Sequence, residues 1–455
     1  MRKQLSTLAL GLLSGLAVGQ GNVVVQVLSP APIANSYANA FAVAASGWGV
    51  ADLTIPENAV LGQLVMAYDG SAADSLACES IVNQAEVAGN IAVIYRGSCT
   101  FGQKALNAQE AGALAVLLIS NGDDLNINMQ GGDFGPQVTI PVAMISQSSG
   151  AVIRPVVDVE PVSAFIGNNF GAFPNNLNLD ELDIFLPHGL GIPSLVATNA
   201  SEFQVPLGSF VRNFGNEAQN TARLRVRITQ NGNEVYNQVS NDVELQPGDS
   251  VFVTLPQFTQ SSYTGVYNIT YSVESDATDD FPNDNSLTIP LSFGELISYA
   301  PLDPVTLLPS SDGSVIPATF TETFSSCLVY SNPNASRLAV TGLYFTGRTP
   351  TDVVAPLDSA LTGMLVSTSA FLWSGTLENA FTLPIAGSLA TLYNGSYNYD
   401  SDRQNEPVFI PFPAAIVLEN NERYLFCAET ADPLLRHGWS NAVDYQLTSD
   451  PDLGV

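Results

Sequence analysis

The stretch that most constrains this chain is residues 89–121, GNIAVIYRGSCTFGQKALNAQEAGALAVLLISN. Two unbroken apolar runs, IAVIY at 91–95 and ALAVLLIS at 113–120, flank FGQKALNAQEAGA at 101–113. A strand covered on both faces has no polar side to present, so it reads as a continuous apolar run. The middle piece is rich in helix formers and sets Phe101, Ala105, Ala108 and Gly112 three or four residues apart, on one helical face. Gly112 closes the helix, because glycine accepts the left-handed conformation of a helix end. Strand, helix, strand in that order predicts a βαβ element, with IPVAMIS at 140–146 as a further buried strand.

The later sequence has a different texture. In ARLRVRITQ at 222–230, Arg223, Arg225 and Arg227 share one face and Leu224, Val226 and Ile228 the other. That alternation belongs to a half-buried strand, and the arginine row reads as its solvated side. EVYNQV at 234–239, SVFVTL at 250–255 and GVYNITYSV at 265–273 are further short strands. Asn231-Gly232-Asn233 and Gln246-Pro247-Gly248-Asp249 punctuate them. The second of these leads through Ser250 into a strand, so it is read as a hairpin turn rather than as a hydrolase Gly-Asp-Ser motif. RLAVTGLYFTG at 337–347 and AAIVLE at 414–419 continue the pattern. The chain is therefore expected to be mainly β and multi-domain. An α+β unit over 22–160 precedes an Ig-like β-sandwich over 161–293 and a jelly-roll-like second β-sandwich over 294–455.

Residues 1–20, MRKQLSTLALGLLSGLAVGQ, have the basic start, apolar middle and small-residue end of a secretory signal peptide. The apolar run from Leu5 to Val18 is shorter than the roughly 20 residues of a membrane span, and no later run is long enough. Export to the cell exterior without a membrane span is expected. The chain carries 43 acidic and 14 basic residues, for a net charge of −29. Such a surface repels nucleic acid and anionic membranes. Four cysteines in an exported chain favour disulfides. Three pairings are open. Two cysteines lie early and two late, which makes Cys78–Cys99 and Cys327–Cys427 the economical choice.

The 89–121 run resembles the signature of the protease-associated (PA) domain family. Arg96, Gly97, Cys99, Phe101, Lys104, Ala108, Ala111, Gly112, Ala113 and Asn121 match it in order. Ile140-Pro141-Val142 and Met144-Ile145 match its late Ile-Pro strand, and Gly150 the helix start after it. The resemblance covers about residues 40–155. It implies a barrel-like α+β domain with flanking helices that is not itself catalytic. Such domains accompany peptidases and receptors and aid substrate or peptide binding. It also implies that Arg96, Gly97, Phe101, Lys104, Gly112, Asn121 and Pro141 are scaffold. VRNFGNEAQN at 211–220, ELQPGDS at 244–250, GVYNITYSV and DDFPNDN at 279–285 resemble the Ig-like CARDB class, adhesion or spacer modules of secreted bacterial proteins.

No HExxH, GxSxG, phosphate-loop or dinucleotide motif occurs. The two histidines, His188 and His437, fall in different predicted units. No catalytic residue is nominated. The expectation is a secreted, non-catalytic PA-domain protein for protein or peptide interaction, or for adhesion. The alternative is the substrate-recruiting portion of a secreted metallo- or serine peptidase whose catalytic domain lies elsewhere, with the ending SDPDLGV leaving room for more chain beyond Val455. No cofactor is required. Calcium is the one ion the sequence nominates, at Asp276, Asp279, Asp280, Asn283, Asp284 and Asn285, and secondarily at Asp123, Asp124, Asn126 and Asn128. Calcium takes six to eight oxygen ligands. Neither loop is an EF-hand, and solvated turns are the plainer reading of both.

Overall fold

A computed structural model describes residues 23–122, 129–180, 183–185, 187, 189–311, 313–316, 323–349, 361–374 and 389–440. The signal segment, His188 and the Asp123–Asn128 loop lie outside the described residues.

The first sheet uses β1 (Val23–Ser29), β2 (Asn35–Tyr37), β3 (Asn39–Phe41), β4 (Val60–Met66), β5 (Ile91–Tyr95), β6 (Ala115–Ile119), β7 (Val142–Ile145) and β8 (Ser163–Asn168). Their order is β2-β1-β8-β4-β5-β6-β7-β3, and β4 to β7 run parallel. Strands β2 and β3 stand at opposite edges of this ladder, yet only Ala38 separates them in sequence. The sheet must curl until its edges approach, which gives the barrel-like form. Three helices flank it: α1 (Gln84–Val87), α2 (Phe101–Glu110) and α3 (Gln147–Val157).

The unbroken apolar runs are explained by two cores. Ile91, Val93, Leu117 and Ile119 fill one; Ala92, Ile94, Val116 and Leu118 fill the other, against Ala105 and Ala108 of α2. Helix α2 ends three residues earlier than its composition suggests. Its last turn closes at Ala111, and Gly112 takes φ +85°. Gly150 sits one turn inside α3, where Ser146 caps the start; an added Cβ there would meet Ile119 Cγ2 at 2.2 Å. Pro141 immediately precedes β7, a position that needs no N–H for the ladder.

Gly102 presses α2 onto the Gly131–Gly135 turn. A Cβ at Gly102 would lie 2.0 Å from the Gly131 carbonyl oxygen and 2.6 Å from the Gly135 nitrogen, both backbone atoms that cannot swing aside. Gly102→Ala is expected to lower stability by about 2–3 kcal/mol in urea unfolding. Gly122→Ala, with no atom within 4 Å of its added carbon, is the control. Equal midpoints for the two variants would refute this packing.

The next strands are β9 (Leu177–Asn178), β10 (Gly191–Pro193), β11 (Val205–Asn213), β12 (Gln219–Gln230), β13 (Asn233–Val239), β14 (Val243–Leu245), β15 (Ser250–Phe258), β16 (Gly265–Glu274) and β17 (Ser286–Gly294). The sheet β10-β17-β16-β12-β13, with β14 also on β12, faces the sheet β15-β11-β9. The alternation in β12 holds. Leu224, Val226 and Ile228 are buried, while Arg223 pairs with Asp276 at 2.8 Å, Arg227 with Glu234 at 2.6 Å, and Arg225 with Glu274. The Gln246–Asp249 turn is not a hairpin. It leaves β14, which pairs with β12, and enters β15, which pairs with β11 in the facing sheet. Crossing between layers keeps the apolar side of both strands on the shared core, with Gly248 at φ +84° to make the bend.

The remaining strands are β18 (Gly313–Val315), β19 (Phe324–Tyr330), β20 (Ala339–Arg348), β21 (Leu365–Trp373), β22 (Leu389–Asn398), β23 (Pro407–Val417), β24 (Arg423–Thr430) and β25 (Arg436–Trp439). They form two antiparallel sheets, β18-β25-β20-β23 and β19-β24-β21-β22. One apolar cluster runs from Leu224 and Val226 through Ala335 and Leu338 to Phe412, Ile416 and Phe426. The architecture is thus mainly β and multi-domain.

Candidate functional site

The disulfide Cys78–Cys99 joins the loop after β4 to the start of α2. The polar side of α2 is committed to that loop. Gln103 Nε2 donates to the Cys78 carbonyl at 2.8 Å, and Asn107 Nδ2 donates to that of Ala77 at 2.9 Å. Lys104 is fully buried, and its Nζ donates to the Leu76 carbonyl at 2.6 Å. Burial pushes the Lys104 ammonium down to about 8, with Asp69 pulling partly the other way. The buried Asp69 carboxylate accepts from the backbone N–H groups of Ser71, Cys78 and Glu79 at 3.0, 2.8 and 3.2 Å. Burial alone would raise its pKa, but these bonds outweigh it and hold the carboxyl below its usual range. Lys104, which the family motif includes, thus ties α2 to this loop. Gly97, at φ +142°, turns the chain out of β5, and Asn121 is exposed beyond β6.

This braced loop forms one wall of an open cleft of about 880 Å³. Tyr68 follows β4, Tyr95 and Arg96 end β5, and Arg154 and Asp158 come from α3 and its end. The cleft lies at the carboxyl ends of parallel strands, where loops diverge and leave a crevice. Arg154 donates from Nη2 to the Tyr68 hydroxyl at 3.2 Å and pairs with Asp158. Arg96 sits over the Phe101 ring, 5.6 Å from its centroid. The guanidinium groups of Arg96 and Arg154 thus face the cleft beside the carboxyl groups of Asp74 and Asp158, with Arg154 already paired to Asp158. The two tyrosines add flat amphipathic surface. The lining also includes Asp74 and Ser75, and no histidine, cysteine or lysine.

Among the described residues, one serine–histidine contact occurs elsewhere: Ser326 Oγ lies 2.6 Å from His437 Nδ1. His437 is 1% exposed and its Nε2 has no partner. Burial pushes the ring down to about 4. Without an acid to orient it or hold its charge, this ring is a poor base at neutral pH.

The acidic loop at 276–285 divides. Asp276 turns out to Arg223, and Asp280 accepts from the Asn175 N–H at 2.8 Å. Asp279 and Asp284 turn inward. Asp279 accepts from the Leu177 and Phe281 N–H groups at 2.7 and 2.8 Å. Asp284 accepts from the carboxamides of Asn169 and Asn178 at 3.2 and 3.0 Å. Burial raises both carboxyls, Asp284 up to about 7. Asn169 and Asn178 were not nominated by the sequence. Their one signal is the asparagine density of NNFGAFPNNLN at 168–178.

No helix among the described residues is long and apolar enough to cross a membrane. Signal peptide peptidase-like 3 of Oryza sativa subsp. japonica is 44% identical over 77 residues, 17% of this chain and 15% of that protein. Aminopeptidase YwaD of Bacillus subtilis (strain 168) is 31% identical over 122 residues, 27% of this chain and 25% of that protein. The chain thus spans a quarter or less of these relatives. The zinc aminopeptidase BSAP from Bacillus subtilis aligns over 32% of this chain and 33% of its own, with 25% identity and a TM-score of 0.22. A CARDB domain from Pyrococcus furiosus aligns over 27% of this chain and 90% of its own, with 22% identity and a TM-score of 0.20. Residues 60–153 match the family model for the PA domain, so the chain carries a protease-associated domain within a larger mainly β protein.

Proposed function

We propose that this is an exported, non-catalytic protein whose PA domain docks a carboxylate-bearing peptide or protein segment. The observation that carries the reading is the cleft pairing Arg96 and Arg154 with Tyr68 and Tyr95 on a braced wall. Its recognition groups suit binding. Export is supported by the signal-like start and by both disulfides, which persist in oxidising compartments. The sandwiches that follow would act as spacer or adhesion units.

Acidic peptides, screened by fluorescence polarisation at low salt, are expected to bind. Arg96→Ala with Arg154→Ala should weaken them about 30–1000-fold, since each charge-assisted contact contributes roughly 1–2 kcal/mol. The melting temperature should change little. Equal affinity in wild type and double variant would refute the site.

A second reading is that the chain recruits substrates for a peptidase, and the aminopeptidase and peptidase-like relatives favour it. Both readings expect no hydrolysis by this chain. Cleavage of casein that a chelator or a serine reagent abolishes would overturn both.

A further inference from the structure

The pair Asp279 and Asp284 poses a physical problem that the cleft does not. Two carboxylates are drawn inward beside each other, and among the described residues no lysine, arginine or histidine compensates either one. Buried charges are ordinarily paired or bound to a metal. Around Asp284 are oxygens with no donor: its own Oδ1, and the Oδ1 atoms of Asn169, Asn178 and Asn285. Asn169 and Asn178 are 1% and 4% exposed, and both side chains aim at the same carboxylate oxygen. Asn176, two residues before Asn178 on the extended segment, is fully buried with neither carboxamide atom partnered. So many orphaned polar atoms in one place call for a missing partner.

The chemistry of that partner follows from the donor set. Every available donor is an uncharged amide oxygen or a carboxylate oxygen, and no sulfur or imidazole is present. Among the described residues, no three His, Cys, Asp or Glu side chains converge, so this is not a transition-metal arrangement. Without a cation, each asparagine turns its N–H toward Asp284. A half-turn of each carboxamide exchanges nitrogen for oxygen at the same place. The Asn169 and Asn178 oxygens would then each lie about 3 Å from the Asp284 carboxylate oxygen that their nitrogens now face, the spacing of neighbouring ligands around an ion bound at roughly 2.3–2.6 Å.

We propose that Asp284, Asn169, Asn178 and Asn285 hold one calcium ion, with Asp279 supplying the second negative charge behind them. The ligands come from two distant segments. Asn169 follows β8, the last strand of the first sheet, and Asn178 lies in β9; Asp284 and Asn285 lie between β16 and β17. The Phe173 ring bridges the same two segments, 5.5 Å from Phe165 and 5.3 Å from Phe281. The ion would fasten the exit of the PA domain to the first sandwich. Two residues nominated from sequence, Asp276 and Asp280, have no part in the site.

The test uses the whole protein, stripped with chelator and titrated with calcium chloride. Calorimetry should show one calcium per chain. At about 100 times the dissociation constant, the melting temperature should rise by roughly 5 °C or more. Asp284→Asn keeps the shape and removes the charge. In chelator it should melt at or above the wild-type temperature, and it should lose the calcium response. Asp276→Asn should keep the response. No heat and no thermal shift in the wild type would overturn the proposal, as would a response that survives in Asp284→Asn.

Discussion

Replacing Cys327 and Cys427 together with alanine is expected to remove about 4–5 kcal/mol of stability from the C-terminal sheets. The two residues face each other across one rung of β19 and β24, with Cα atoms 4.1 Å apart, and they are joined as a disulfide. They are 100 residues apart in sequence. A crosslink acts mainly on the unfolded chain, by denying it the conformations in which the ends separate. That effect grows with the logarithm of loop length and reaches roughly 4.7 kcal/mol for 100 residues. The pair at Cys78 and Cys99 closes only 21 residues, so its removal should cost about 3 kcal/mol. Urea midpoints of the two double variants, compared with the wild type, test the ranking. A loss below about 1 kcal/mol for the long loop would contradict it.

His437 should make those same sheets sensitive to acid. The ring is packed between Phe324 and Phe345, with centroids 4.6 and 4.8 Å away, and burial pushes its pKa down to about 4. The unfolded chain takes up this proton near pH 6.5. Between those values the unfolded state binds the extra proton, so stability is present above pH 6.5 and is lost as pH falls toward 4. The loss amounts to about 3 kcal/mol. Unfolding midpoints measured from pH 7.5 to 4 should fall more steeply in the wild type than in His437→Phe. Parallel curves would exclude His437 as the source.

The contrast between what the residues announce and what they conceal has a physical basis. The βαβ element was legible because strands with two buried faces and a helix with one each leave a distinct period, and Ile91–Tyr95 and Ala115–Ile119 lie inside the predicted runs. The face of β12 was legible for the same reason. The destination of the chain after Gly248 was not, because a turn that stays in a sheet and one that changes sheets use the same residues. The cleft was partly legible. Arg96 stood in the recognised motif, but Tyr68 and Arg154 reach it only because parallel strands gather distant loops at one end. The acidic loop gave its charges and hid their directions. Asp276 and Asp279 are three residues apart, yet one faces Arg223 in solvent and the other faces inward. The Leu177 N–H, 102 residues away, meets Asp279, and local spacing carries no trace of it.

The apolar cluster that passes without interruption from Leu224 to Phe426 has a consequence for how such a chain can diversify. Pieces with separate interiors can be recombined like beads, each judged by selection alone. Here the two sandwiches lean on common ground, so a substitution at Leu338 or Phe412 is felt by residues more than a hundred positions earlier. Inheritance would favour them as a pair, whereas the first sheet fills two cores of its own.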